Sequence, residues 1–107
     1  MSTVAAALHG LTPTQQAVVR AVLVAAGARA AFVFGSRARS DARPGSDLDL
    51  AVAGLGAPAL VRLREALDEA PLPFACDVVD LDTLADGPLR TAIERDGRTI
   101  LGAWTVA

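Results

Sequence analysis

The sequence predicts an α+β fold: a small mixed or antiparallel sheet with helices packed against it. Three observations carry this. Short apolar runs of strand length alternate with helix-length amphipathic stretches. The strand signals are few and partly joined by short loops. The chain has 107 residues, 52% hydrophobic but only 4% aromatic, so one domain over residues 1–107 builds its core from small aliphatic side chains.

Thr12-Pro13-Thr14-Gln15 reads as a helix start. Thr12 can cap, Pro13 suits the first turn, and Gln15 can close a capping box. Val18, Val19, Val22, Leu23 and Ala26 then form a broad apolar face, and Gly27 stops the helix. Ala30 to Phe34 is a short buried strand, ended by Gly35-Ser36. Arg37 to Ser40 has room for one helical turn, and Ala42 to Ser46 is a loop. Asp47 to Ala53 alternates, with Asp47, Asp49 and Ala51 on one face and Leu48, Leu50 and Val52 on the core face.

Ala57 to Ala70 is helical, with Leu60, Leu63 and Leu67 as its stripe and an Arg64/Asp68 pair at i,i+4 on its surface. Pro71 and Pro73 end it, and Phe74 to Leu81 forms the third strand. Pro88 to Arg95 is the last helix, stopped at Gly97, and Thr99 to Leu101 adds a short strand. The helices are expected against one face of the sheet.

Composition excludes several function classes. A net charge of −2 gives no global field to recruit nucleic acid. All ten basic residues are arginine, so no lysine is available for catalysis or for a Walker-type phosphate loop. The lone Cys76 forms no internal disulfide or cysteine zinc cluster, and suits a reducing cytoplasm. The N-terminal stretch MSTVAAALHGL lacks the basic region of a signal peptide, and no apolar run is long enough to span a bilayer.

The chemistry gathers in GSRARSDARPGSDLDL, residues 35–50. Residues i and i+2 on a strand project the same way, so Asp47 and Asp49 can converge on a hard divalent cation such as Mg²⁺. A bare Asp-x-Asp is also compatible with a turn cap beside a solvated carboxylate, so the surrounding residues decide. Gly35 lets phosphate approach the backbone, Ser36 offers a hydroxyl, and N–H groups at a helix start attract anions. Arg37 and Arg39 could pair with a triphosphate or stabilise developing charge, while Arg43 is expected in solvent.

Asp77 lies in the apolar run FACDVV, where strand propensity disfavours it. If that strand pairs beside the Asp47/Asp49 strand, Asp77 completes a triad able to hold two metals, as ligand, general base or both. Asp80 and Asp82 are expected to cap the following turn. Cys76 should pack on the face opposite Asp77. His9 has no second histidine with which to share a metal. Trp104 and Val106 could serve either a partner interface or local packing.

Ten residues separate Ser36 from Asp47. GSRARSDARPGSDLDL therefore resembles the GS-x10-DxD signature of nucleotidyltransferases related to DNA polymerase β. The length, the early helix and Asp77 resemble their minimal nucleotidyltransferase branch, over about residues 12 to 101. The resemblance implies that Gly35 and Ser36 hold nucleotide phosphates, that Asp47 and Asp49 bind Mg²⁺, and that Asp77 completes the site. Ser40 departs from it, standing where many relatives have glycine. The resemblance further implies an antitoxin that moves AMP from ATP onto a tyrosine of a helical HEPN ribonuclease toxin. It leaves open a homo- or hetero-oligomer, and implies no membrane or direct nucleic-acid partner.

Two alternatives stay open at this point. One is a partner-binding antitoxin that works by contact alone. The other is a nucleotidyltransferase acting on a small molecule such as an antibiotic, for which this chain has few residues to shape an acceptor pocket.

Overall fold

A computed structural model of the chain describes residues 10–40, 42–43 and 45–102. Its element order is α1 (Pro13–Ala26), β1 (Ala30–Phe34), β2 (Leu48–Ala53), α2 (Ala57–Glu69), β3 (Cys76–Asp80), α3 (Pro88–Asp96) and β4 (Arg98–Leu101). His9, Trp104 and Val106 lie outside the described residues.

The local signals act as their chemistry requires. The Thr12 hydroxyl accepts from the Gln15 N–H at 3.1 Å, and the Gln15 side chain accepts from the Thr12 N–H at 2.9 Å. That reciprocal pair satisfies two otherwise orphaned donors at the start of α1. Gly27 closes the helix in the left-handed region at φ 92°, where a side chain would be strained.

The four strands form one mixed sheet in the order β3-β2-β1-β4. β1 pairs antiparallel with β2 and with β4, while β2 pairs parallel with β3. A parallel pair needs a crossover, and α2 supplies it between β2 and β3. The central strands β1 and β2 are buried along almost their whole length.

Both faces of the sheet are covered, so the helices do not share one face. α1 and α2 bring Val19, Leu23, Leu60, Leu63 and Leu67 onto the face carrying Val33, Leu48, Leu50 and Val52. On the other face, Ile93 of α3 packs with Phe32, Phe34, Ala51 and Leu81. Ala51 and Ala53 are fully buried there, which a strand with only one face on the core would not require. Arg64 likewise departs from its expected partner: its guanidinium donates to the Val78 carbonyl at 3.1 Å, tying α2 to β3.

The turn after β3 follows expectation. Asp80 accepts from the Asp82 N–H and from the Thr83 hydroxyl, each at 3.1 Å. Asp82 in turn accepts from the Gly54 N–H at 2.7 Å, fastening this turn to the end of β2. No helix among the described residues is long and apolar enough to cross a membrane.

Candidate active site

The sheet brings one end of β1 to the starts of β2 and β3. Phe34, the last residue of β1, pairs with Asp49, and Asp49 pairs with Asp77 in the parallel ladder. Directly paired residues of neighbouring strands project to the same side, about 4.8 Å apart at the backbone. The ladder is set by the Leu48 N–H, which donates to the Ala75 carbonyl at 2.8 Å. Asp47 stands just before β2 and is exposed, as is Asp77, while Asp49 is half-buried. Cys76 packs with the α1–α2 side of the core, opposite Asp77 by strand alternation.

Electrostatics join the three carboxylates. Burial pushes the Asp49 carboxyl above its ordinary pKa, and the Asp77 and Asp47 charges push it further, with Arg39 pulling back. The Cys76 thiol is pushed up to about 11, first by burial and then by Asp68 and Asp77, so it is neutral at physiological pH.

Gly35 follows β1 with φ 74°, and a Cβ there would collide with the Asp49 carboxylate. Glycine is thus required twice at this position, by backbone conformation and by the acid against it. Residues 35–40 form a turn closed by the Arg39 N–H donating to the Gly35 carbonyl at 3.1 Å. Ser36 is partly exposed within that turn, and Arg39 is exposed. Ser40 ends it at φ 65°, the one non-glycine residue with positive φ among the described residues.

Arg37 lies elsewhere. Its residue is 3% exposed. Its Nε and Nη2 donate to the Ser46 carbonyl at 3.2 and 2.8 Å, and its Nη1 to the Gly10 carbonyl at 3.4 Å. The guanidinium carbon sits 4.4 Å from the Phe74 ring centroid, within cation–π range. Burial lowers its pKa, while the nearby Cys76 thiol acts the other way. Arg43 is exposed, and its N–H donates to the Ser46 hydroxyl at 2.9 Å. Ser46 and Phe74 carried no local signal of a role, because their shared partner comes from a distant turn.

The donor chemistry suits a hard divalent cation: three carboxylates, with Asp49 crowded by like charge that a cation would relieve. As placed, they are not a closed cage. Among the described residues, no three His, Cys, Asp or Glu side chains are arranged to hold one metal ion.

The family described as polymerase beta, nucleotidyltransferase matches residues 22–103. The chain belongs to the polymerase β nucleotidyltransferase family. Solved structures agree with this assignment. One described as a minimal nucleotidyltransferase is 36% identical, with a TM-score of 0.62, and the match covers 79% of this nucleotidyltransferase and 88% of that chain. A toxin–antitoxin structure with AMP-PNP is 24% identical with a TM-score of 0.68, and the match covers 82% of this chain and 73% of that one. A mutant of the toxin–antitoxin MntA-HpeT, in which two aspartates two positions apart are changed to glutamate, is 22% identical with a TM-score of 0.65, at the same coverage. These last two show likeness of fold. No curated protein matches the nucleotidyltransferase sequence.

Proposed function

We propose that this nucleotidyltransferase transfers AMP from ATP to a tyrosine hydroxyl of a cognate HEPN ribonuclease toxin, with Mg²⁺, and so acts as an antitoxin. The observation that carries the reading is the pairing of Asp49 with Asp77 beside the Gly35 turn, with the Asp47 charge also felt at Asp49. The AMP-PNP in one similar toxin–antitoxin structure supports an ATP-like substrate here, and the two aspartates altered in another have the i, i+2 spacing of Asp47 and Asp49.

In this reading Gly35 and Ser36 seat the nucleotide phosphates, and Arg39 meets the triphosphate charge. Asp47, Asp49 and Asp77 are the carboxylates that would hold Mg²⁺. When bound, the cation neutralises triphosphate charge and lowers the pKa of the attacking hydroxyl. The tyrosine oxygen bonds to the α-phosphorus as the bond to pyrophosphate breaks in line, and Asp77 takes the hydroxyl proton. The single free Cys76 suits a reducing cytoplasm.

The test incubates the chain with its helical toxin partner, labelled ATP and Mg²⁺, and follows label and mass on both chains. The expected result is AMP on a toxin tyrosine, lost with Asp47→Ala, Asp49→Ala or a chelator. Labelling that persists in both variants overturns the reading. Neutralisation that survives both variants, in an intact complex, converts it to a partner-binding antitoxin.

A further inference from the structure

We propose that Arg37 is a positioning residue, whose buried guanidinium ties the turn after β1 to Ser46 and Phe74 and so fixes the spacing of the Gly35 turn, Asp47 and Asp77. The proposal rests on reading those aspartates as the catalytic carboxylates.

The three parts of the site arrive from separate stretches of chain. The glycine-serine turn follows β1, Asp47 leads into β2, and Asp77 is the second residue of β3. Backbone pairing fixes Asp49 against Asp77, but Asp47 precedes β2 and lies outside the ladder. The Leu48 N–H bond to the Ala75 carbonyl holds the chain on one side of Asp47, and a tie on its other side would set where Asp47 sits relative to the turn.

Arg37 is built to do this. It belongs to the turn itself, and two of its nitrogens converge on the carbonyl of Ser46, the residue bonded to Asp47. The face of the same guanidinium lies on Phe74, which leads into the Ala75 carbonyl that starts the β2–β3 ladder. A third nitrogen reaches Gly10 ahead of α1. A planar fork can direct several N–H groups along fixed directions while presenting a flat face to a ring, which a lysine ammonium cannot do. At 3% exposure the group has no open face for a triphosphate, so its influence on chemistry runs through the backbone it holds.

The loop between the turn and Asp47 also has its own brace. The Ser46 N–H donates to the Arg43 carbonyl at 2.9 Å, and the Ser46 hydroxyl accepts from the Arg43 N–H. Ser46 is thus held in a local turn that Arg37 anchors as a unit. Catalytic geometry tolerates little slack: a displacement near 1 Å can cost about 100-fold in rate.

The test compares Arg37→Lys, Phe74→Leu and Phe74→Tyr with the unaltered chain. Two measurements are made: hydrogen exchange without metal or nucleotide, and kcat alongside ATP affinity. Arg37→Lys should speed exchange at residues 46–48 while α1 and β1 keep their protection. It should also lower kcat by about 10- to 100-fold with ATP affinity held within about twofold. Phe74→Leu should do the same to a lesser degree, and Phe74→Tyr, which keeps the ring, should restore both readouts. A loss of ATP affinity with kcat unchanged would mean a phosphate contact and overturn the proposal. Unaltered exchange at residues 46–48 in both Arg37→Lys and Phe74→Leu would overturn it as well. If Arg37→Lys fails to fold, the Phe74 pair decides. If the unaltered chain transfers no AMP, the proposed function falls, and the exchange measurement still decides the role of Arg37.

Discussion

Gly35 lies directly against the carboxylate of Asp49, with no room for a Cβ between them. The turn after β1 and the most buried of the three acids are therefore parts of one surface. Gly35→Ala should lose on both counts. The left-handed backbone at φ 74° costs a non-glycine residue roughly 1–2 kcal/mol, before the overlap with Asp49 is relieved. The expected outcome is a lower melting temperature and loss of AMP transfer, checked by thermal unfolding and by the labelling assay.

Asp49→Asn should separate stability from activity. Burial and the Asp77 and Asp47 charges raise the Asp49 pKa in the folded chain, with Arg39 in partial opposition. The folded state thus binds this proton more tightly than the unfolded state does. Its contribution is fully favourable below the unfolded pKa and is lost as pH rises through the folded one. At neutral pH, without divalent cation, Asp49→Asn should stabilise the fold by at most about 1 kcal/mol, because the half-exposed group is screened by solvent. In strong acid the gain should vanish. AMP transfer should be abolished. Melting curves across pH check the first part, and a neutral-pH melting point below that of the unaltered chain would contradict it.

Ser40→Gly should stabilise the chain without loss of transfer. Ser40 holds φ 65° at the end of the turn, a conformation glycine adopts freely. Removing that strain, less the greater freedom of glycine in the unfolded chain, should gain about 0.5–1 kcal/mol. Chemical denaturation measures the shift in midpoint. A loss of stability would show that the Ser40 side chain does more than occupy the turn.

Cys76 should resist alkylation. With its pKa at about 11, the thiolate fraction in mildly basic buffer falls roughly 100-fold below that of an unperturbed thiol. Iodoacetamide labelling followed by mass should be slow in the native chain and fast in denaturant. Native labelling at the unfolded rate would contradict the placement of Cys76 against the core.

The sequence alone determined the order of elements, the capped start of α1 at Thr12, and the Gly35-Ser36 turn with ten residues between Ser36 and Asp47. These features are written in signals a few residues long: side-chain period, capping chemistry and the φ freedom of glycine. Only the tertiary structure decided that Asp77 pairs with Asp49, that α3 covers the second face, and that Arg64 reaches Val78 instead of its neighbour on α2. It also decided that Arg37 turns into the protein while Arg39, two residues on, stays exposed. Strand register and the burial of a charge depend on partners far along the chain, and a guanidinium enters the interior only where distant carbonyls and a ring already wait to receive it.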